Sequence, residues 1–156
     1  MRNRYLSWRD VCGLIDHIIS QLNGDFDAVI AISRGGIVPG GLISKKLDIR
    51  RVFIAAVSFF RDDDQALDWP VFLQFPDDQV LRGKRILVVG DKWRQGRAIT
   101  SVRERVEMAG AEAVTVVLHY CPGDSASPDQ KPDVLGEQTD ESIIYPWQAT
   151  RSRLEV

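Results

Sequence analysis

Apolar positions along this chain follow two patterns. Trp8, Val11, Leu14, Ile15, Ile18 and Leu22 recur at helical spacing, which predicts an amphipathic helix from about Trp8 to Leu22. Ser7 with Asp10 resembles a capping box at its start, and Asn23-Gly24 ends it. The second pattern is short and continuous. Ala28-Val29-Ile30-Ala31-Ile32 is wholly apolar, and Arg85 to Val89 and Ala113 to Leu118 read the same way, as central parallel strands covered on both faces do. Val52 to Phe60 is rich in β-branched and aromatic residues and is predicted as a further strand.

Helices are predicted between these strands. Val38 to Leu47 follows a Ser33-Arg34-Gly35-Gly36 loop, with Pro39 tolerated in the first turn, and Thr100 to Ala109 ends at Gly110. Strands alternating with helices predict an α/β fold with a mostly parallel sheet flanked by helices. Gly90 to Arg97 breaks the strand pattern, and Arg61 to Lys84 is acidic and irregular, which predicts a mobile segment. A Pro-, Gly-, Asp- and Ser-rich loop follows His119 through Pro132. Ile143 to Trp147 then restores an apolar patch, expected to form a small hood over one end of the sheet ahead of a polar tail.

At 156 residues and with no linker, the chain is read as one domain spanning residues 1–156. Its formal charge of -2 predicts no nucleic-acid partner. Its apolar runs fall far below the roughly 18 residues of a membrane helix, and Met1 to Tyr5 has no apolar signal core, so a cytoplasmic protein with no membrane partner is expected. Cys12 and Cys121 have no paired thiol spacing and read as core or loop thiols. The acids Asp62 to Asp64, Asp68, Asp77 and Asp78 read as a solvated run rather than a metal site.

The loop Ser33, Arg34, Gly35, Gly36 carries the clearest chemistry. Its glycines let backbone amides approach an anion, the helix that follows points its positive end at that anion, and Arg34 offers a guanidinium fork. Farther on, the amides of Gln95, Gly96, Arg97, Ala98 and Ile99 begin another helix, Thr100 is placed to cap it or contact phosphate, and Arg94 and Arg97 add positive charge. A solvated basic turn of Lys92, Arg94 and Arg97 is the alternative there. No Gly-x-Gly-x-x-Gly dinucleotide fingerprint and no Gly-Lys-Ser/Thr phosphate loop is present.

Ile32 to Gly41 closely resembles the pyrophosphate-binding loop of the xanthine-guanine and hypoxanthine phosphoribosyltransferases. An aromatic-Ser-Trp stretch before the first helix, Val57 to Phe60 and Tyr145-Pro146-Trp147 fall in the same order. The resemblance spans roughly residues 5 to 147. It implies a type I phosphoribosyltransferase fold, phosphoribosyl pyrophosphate (PRPP) with Mg²⁺ and a nucleobase or nucleotide as ligands, and a homodimer or homotetramer. It implies that Ser33 to Gly36 bind pyrophosphate, that Gln95 to Thr100 surround the 5'-phosphate, and that Asp91 and Arg94 occupy the catalytic loop, with Asp91 touching the metal. His119, Tyr145 and Trp147 are the nearest matches to base-binding positions, His119 donating only in a suitable tautomer or charge state. The stretch Gly90 to Ala98 departs from the family pattern. Gly90 and Arg94 stand where acids are usual, and Gln95 and Ala98 where hydroxyl residues are. These departures predict a slow or silent transferase, or a PRPP- or nucleotide-binding regulatory protein on the same fold.

Overall fold

The computed structural model describes residues 2–125, 127 and 129–148, so the polar tail from residue 149 lies outside the described residues. The elements are β1 (Asn3–Tyr5), α1 (Trp8–Gln21), β2 (Ala28–Ile32), α2 (Ile37–Lys46), β3 (Val52–Phe60), β4 (Ala66–Gln74), α3 (Asp78–Leu81), β5 (Arg85–Trp93), α4 (Arg97–Met108), β6 (Glu112–Tyr120), β7 (Val134–Gln138) and β8 (Ser142–Ile144). A six-stranded sheet runs β4-β3-β2-β5-β6-β7. Every pairing in it is parallel except β3 with β4. The expected α/β architecture is therefore present.

Two cores explain why the central strands read as continuous apolar runs. Ile30, Val88, Ile99, Val102, Val106 and Val117 pack on one face of the sheet under α4. Val29, Leu87, Val89, Ile15, Ile18 and Ile43 pack on the other under α1 and α2. Alternate residues of β2 and β5 thus enter opposite cores, which leaves no polar side chain from Ala28 to Ile32 or from Ile86 to Gly90. The capping box is formed: Ser7 Oγ accepts from the Asp10 amide at 3.1 Å, and the Ser7 amide donates to Asp10 Oδ2 at 2.8 Å.

The structure corrects the reading of the middle segment. Ala66–Gln74 is a strand that turns back antiparallel on β3, and Asp78–Leu81 is a short helix capped by Asp77. Leu67, Trp69, Val71 and Leu73 alternate with Asp68, Pro70, Phe72 and Gln74, the period of a strand, hidden by the acids before it. Pro70 is tolerated because β4 is an edge. Strand β5 continues to Trp93 because Gly90, Lys92 and Trp93 keep pairing with β6. Helix α4 begins three residues earlier than expected. The C-terminal patch forms the predicted hood as a separate sheet, β8 pairing in parallel with β1.

Candidate active site

The sheet sets the location. From β2 the chain passes to β3 on one side, and it later returns to β5 on the other. Loops leaving the carboxyl ends of β2 and β5 therefore diverge, and in such sheets that divergence is where ligands bind. A cleft of about 540 Å³ opens there. Ser33 and Gly35 form one wall, Gln95 to Ala98 the opposite one, Gly90, Asp91 and Val117 the floor, and Phe59 and Phe60 the rim.

In the first wall, the Ser33 amide donates to Ala55 O (2.9 Å), the Gly36 amide to Ile32 O (2.8 Å) and the Ile37 amide to Arg34 O (3.1 Å). The Ser33–Arg34 peptide is cis. The amides of Arg34 and Gly35 have no protein partner among the described residues, and they precede α2, whose N-cap Gly36 has no capping side chain. Those two amides, the open helix end and the exposed Arg34 side chain are the hydrogen-bond donors and positive charge that this wall presents. Packing also demands the glycines: a Cβ at 35 would overlap the Asp91 carboxylate, and one at 36 the Val89 carbonyl.

The second wall rests on Trp93. Its ring is buried at 2% exposure, meets Tyr120 edge-on at 6.1 Å, and fills the space a Cβ on residue 96 would need. Gly96 adopts φ 75° there and starts α4 with no side-chain cap. The first amides of α4 are thus left open toward the cleft. Arg97 lies over the Phe59 ring at 4.1 Å and donates to Leu67 O at 3.3 Å, tying this wall to the β3–β4 hairpin. Thr100 Oγ1 reaches Gln130 Oε1 at 3.3 Å. Gln95 is exposed, Ala98 half-buried and Ile99 buried in the core. Arg94 pairs with Asp124 at 3.0 Å, so its guanidinium is held by the loop after β6.

Asp91 sits between the walls. Burial pushes its carboxyl above the usual carboxylate range, opposed by the Lys92 amide that donates to Oδ1 at 2.7 Å. Tyr145 holds the backbone at this point by donating its hydroxyl to Asp91 O at 3.0 Å. A backbone carbonyl only accepts, so the Tyr145 oxygen must take its own hydrogen bond from His119 Nδ1, 2.8 Å away. His119 is therefore the Nδ1–H tautomer, with Nε2 left to accept from Arg4 Nη2 at 3.4 Å. Burial pushes the imidazole down to about 4 and Tyr145 far above the usual phenol range.

The structure brings Ser33, Gly35, Asp91, Arg94 and Gln95 to Ile99 together around one cleft. It gives the three base-binding candidates a different setting. His119 and Tyr145 are fully buried and bonded to each other, and Trp147 stacks on Tyr145 at 4.6 Å, so none of the three lines the cleft. Lys92, Phe59, Phe60 and Val117 do, and the sequence reading gave none of them a role in the site. Lys92 donates to Ile143 O at 3.2 Å, a hood contact that no local sequence signal marks. Among the described residues no group of three or more His, Cys, Asp or Glu could hold a metal, and no helix is long and apolar enough to cross a membrane. Cys12 and Cys121 are free thiols.

A strand-loop-helix unit with an uncapped helix start on each side of a switch point, over an aspartate, is the arrangement of a phosphoribosyltransferase-type α/β domain. The chain belongs to the phosphoribosyl transferase domain family, which matches residues 1–151. It is 34% identical over 148 residues to a xanthine-guanine phosphoribosyltransferase of Idiomarina loihiensis, covering 94% of this chain and 87% of that one. To another enzyme of that name, from Ruegeria, it is 30% identical, with 93% and 78% covered. The crystal structure of a purine phosphoribosyltransferase from Pyrococcus horikoshii superposes with a TM-score of 0.81 at 27% identity, covering 96% and 97%.

Proposed function

We propose that this protein is a purine-type phosphoribosyltransferase of low turnover. It takes PRPP and a nucleobase, forms a bond from a base nitrogen to C1 of the ribose, and releases pyrophosphate with the electrons of the broken C1–O bond. The observation that carries this reading is the convergence of two uncapped helix starts, α2 and α4, on opposite sides of Asp91. The amides of Arg34 and Gly35 and the Arg34 guanidinium take the pyrophosphate and stabilise charge as it leaves. The amides at Gln95 to Ile99, with Arg97, take the 5'-phosphate, the Thr100 amide being held by Gly96 O at 3.1 Å. Asp91 takes the ribose hydroxyls or the metal. The base lies against the Phe60 rim near Lys92, while His119 and Tyr145, with Trp147 stacked behind, hold the Asp91 backbone in place.

Mg²⁺ fits this donor set only in company with the substrate. Among the described residues Asp91 is the one carboxylate lining the cleft, and Mg²⁺ is commonly held by one or two carboxylates plus substrate phosphates. When bound it offsets negative charge on the diphosphate.

One observation favours a second reading, a ligand-binding protein without transfer. Gly90 brings no carboxylate to the floor, and Arg94, paired with Asp124, accepts no proton. Calorimetric titration with PRPP and Mg²⁺ tests both readings. Saturable binding that weakens by about 1.5 to 3 kcal/mol in Arg34→Ala supports the site. Absence of binding by the folded wild type contradicts both.

A further inference from the structure

The hydrogen bonds behind Asp91 lead back to the N-terminal strand. Lys92, His119 and Glu137 stand side by side across β5, β6 and β7. Arg4 reaches His119 and Glu137 from the hood sheet, where β1 pairs it with Ile143 of β8. Its guanidinium grips Glu137 with two parallel bonds, Nη1 donating to Oε1 at 3.1 Å and Nη2 to Oε2 at 2.6 Å, and Nη1 also meets Glu141 Oε2 at 3.2 Å. A planar guanidinium held by two carboxylates has little freedom to turn. Its Nη2 is thereby kept 3.4 Å from His119 Nε2.

His119 Nε2 has two neighbours with opposite demands. Arg4 can only donate, whereas the ionised Glu137 carboxylate, 3.5 Å away through Oε2, can only accept. A bond from Arg4 requires a bare Nε2 and so a proton on Nδ1. Nδ1 then donates to the Tyr145 oxygen, which leaves the Tyr145 hydroxyl for the Asp91 carbonyl. A bond to Glu137 draws the proton to Nε2 instead. The bare Nδ1 then accepts from Tyr145, and the Asp91 carbonyl loses that donor. Both rings are fully buried, so the choice falls to these groups.

We propose that Arg4 is a positioning residue for Asp91: by occupying Glu137 and donating to His119 Nε2, it keeps the ring in the tautomer that holds the Tyr145 hydroxyl on the Asp91 carbonyl. The N-terminal strand thus sets the floor of a cleft that Arg4 does not line. Without Arg4, Glu137 is released to accept from Nε2. One proton then passes from Nδ1 to Nε2, one hydroxyl turns from Asp91 to the imidazole, and the Asp91 backbone is freed. The consequence for ligand binding rests on the function proposed above, whereas the relay rests on the hydrogen bonds alone.

Nitrogen NMR of the isotope-labelled full chain, at a pH where the ring is neutral, reads the His119 tautomer. It also reads the Lys92 amide, whose nitrogen shares a peptide with the Asp91 carbonyl and shifts when that carbonyl loses a donor. Titration with PRPP and Mg²⁺ reads the site. The wild type is expected to carry its proton on Nδ1. Arg4→Met should move it to Nε2, shift the Lys92 amide and weaken PRPP binding about tenfold, as loss of support behind a ligand-holding group does. Adding Glu137→Met removes the competing acceptor and should restore all three signals, a rescue that misfolding cannot produce. A ring that keeps its proton on Nδ1 in Arg4→Met overturns the proposal, as does a double variant that fails to restore the wild-type signals. A switched tautomer with unchanged PRPP affinity overturns the positioning role. A wild type that binds no PRPP contradicts the proposed function instead, and the His119 and Lys92 signals still decide the relay.

Discussion

At residue scale, the most consequential contacts lie beneath the cleft rather than in it. Tyr145 spends its hydroxyl on the Asp91 carbonyl and receives the His119 proton. Tyr145→Phe would leave a buried N–H donor and a backbone acceptor unpaired, a loss of about 1 to 3 kcal/mol in denaturant unfolding; an unchanged midpoint would show the chain is not formed. His119 also makes stability depend on pH. Its folded value, about 4, is below the ordinary 6.5, so between those values the unfolded chain holds more protons and stability falls as pH falls. Glu137, also lowered, acts in the same sense at more acidic pH. Chemical denaturation at pH 7.5 and 4.5 should show a loss on the order of 2 to 3 kcal/mol, largely absent in His119→Gln. Equal losses in both proteins would contradict the assignment.

At the scale of elements, the walls are held by packing as much as by phosphate chemistry. Gly96 is fixed by the Trp93 ring beneath it and by its φ of 75°. Gly96→Ala should destabilise the fold by at least 1 to 2 kcal/mol before any ligand is added; a thermal midpoint equal to wild type would rule out this packing. Arg97 clamps the hairpin through Phe59 and Leu67. Its replacement by Ala removes a cation–π contact of about 0.5 to 1 kcal/mol and should speed amide exchange in β4 roughly two- to fivefold. No change in exchange would show that the hairpin stands without the clamp. Much of this level was legible in the chain. The apolar runs located β2, β3, β5 and β6, and Ser7 with Asp10 located the start of α1. Strand β4 was hidden because acids at 62 to 64 dominate the local composition while its alternation begins only at Leu67. Strands β1 and β8 are three residues each and exist by pairing with one another, a long-range event that no local period records.

At the scale of the whole molecule, a phosphoribosyltransferase frame surrounds an altered floor. The glycine loop at Ser33 to Gly36 was readable because backbone geometry dictates its residues. The setting of His119 was not, since only the meeting of β1, β5, β6, β7 and the hood buries that ring. The central claim is that the frame binds for transfer while Gly90 and Arg94 hold the rate down. A Cβ at residue 90 would meet Val117 and Ile99 at 3.6 and 3.8 Å, ordinary contact distances, so a carboxylate can be built there. Transfer of radiolabelled purine from PRPP, measured for wild type and for the folded variant Gly90→Asp with Arg94→Asp, tests this directly. The account predicts a slow wild type and a variant faster by roughly 10²-fold or more, the range of a restored acid–base group. A wild type that turns over briskly, with a slower double variant, would contradict it.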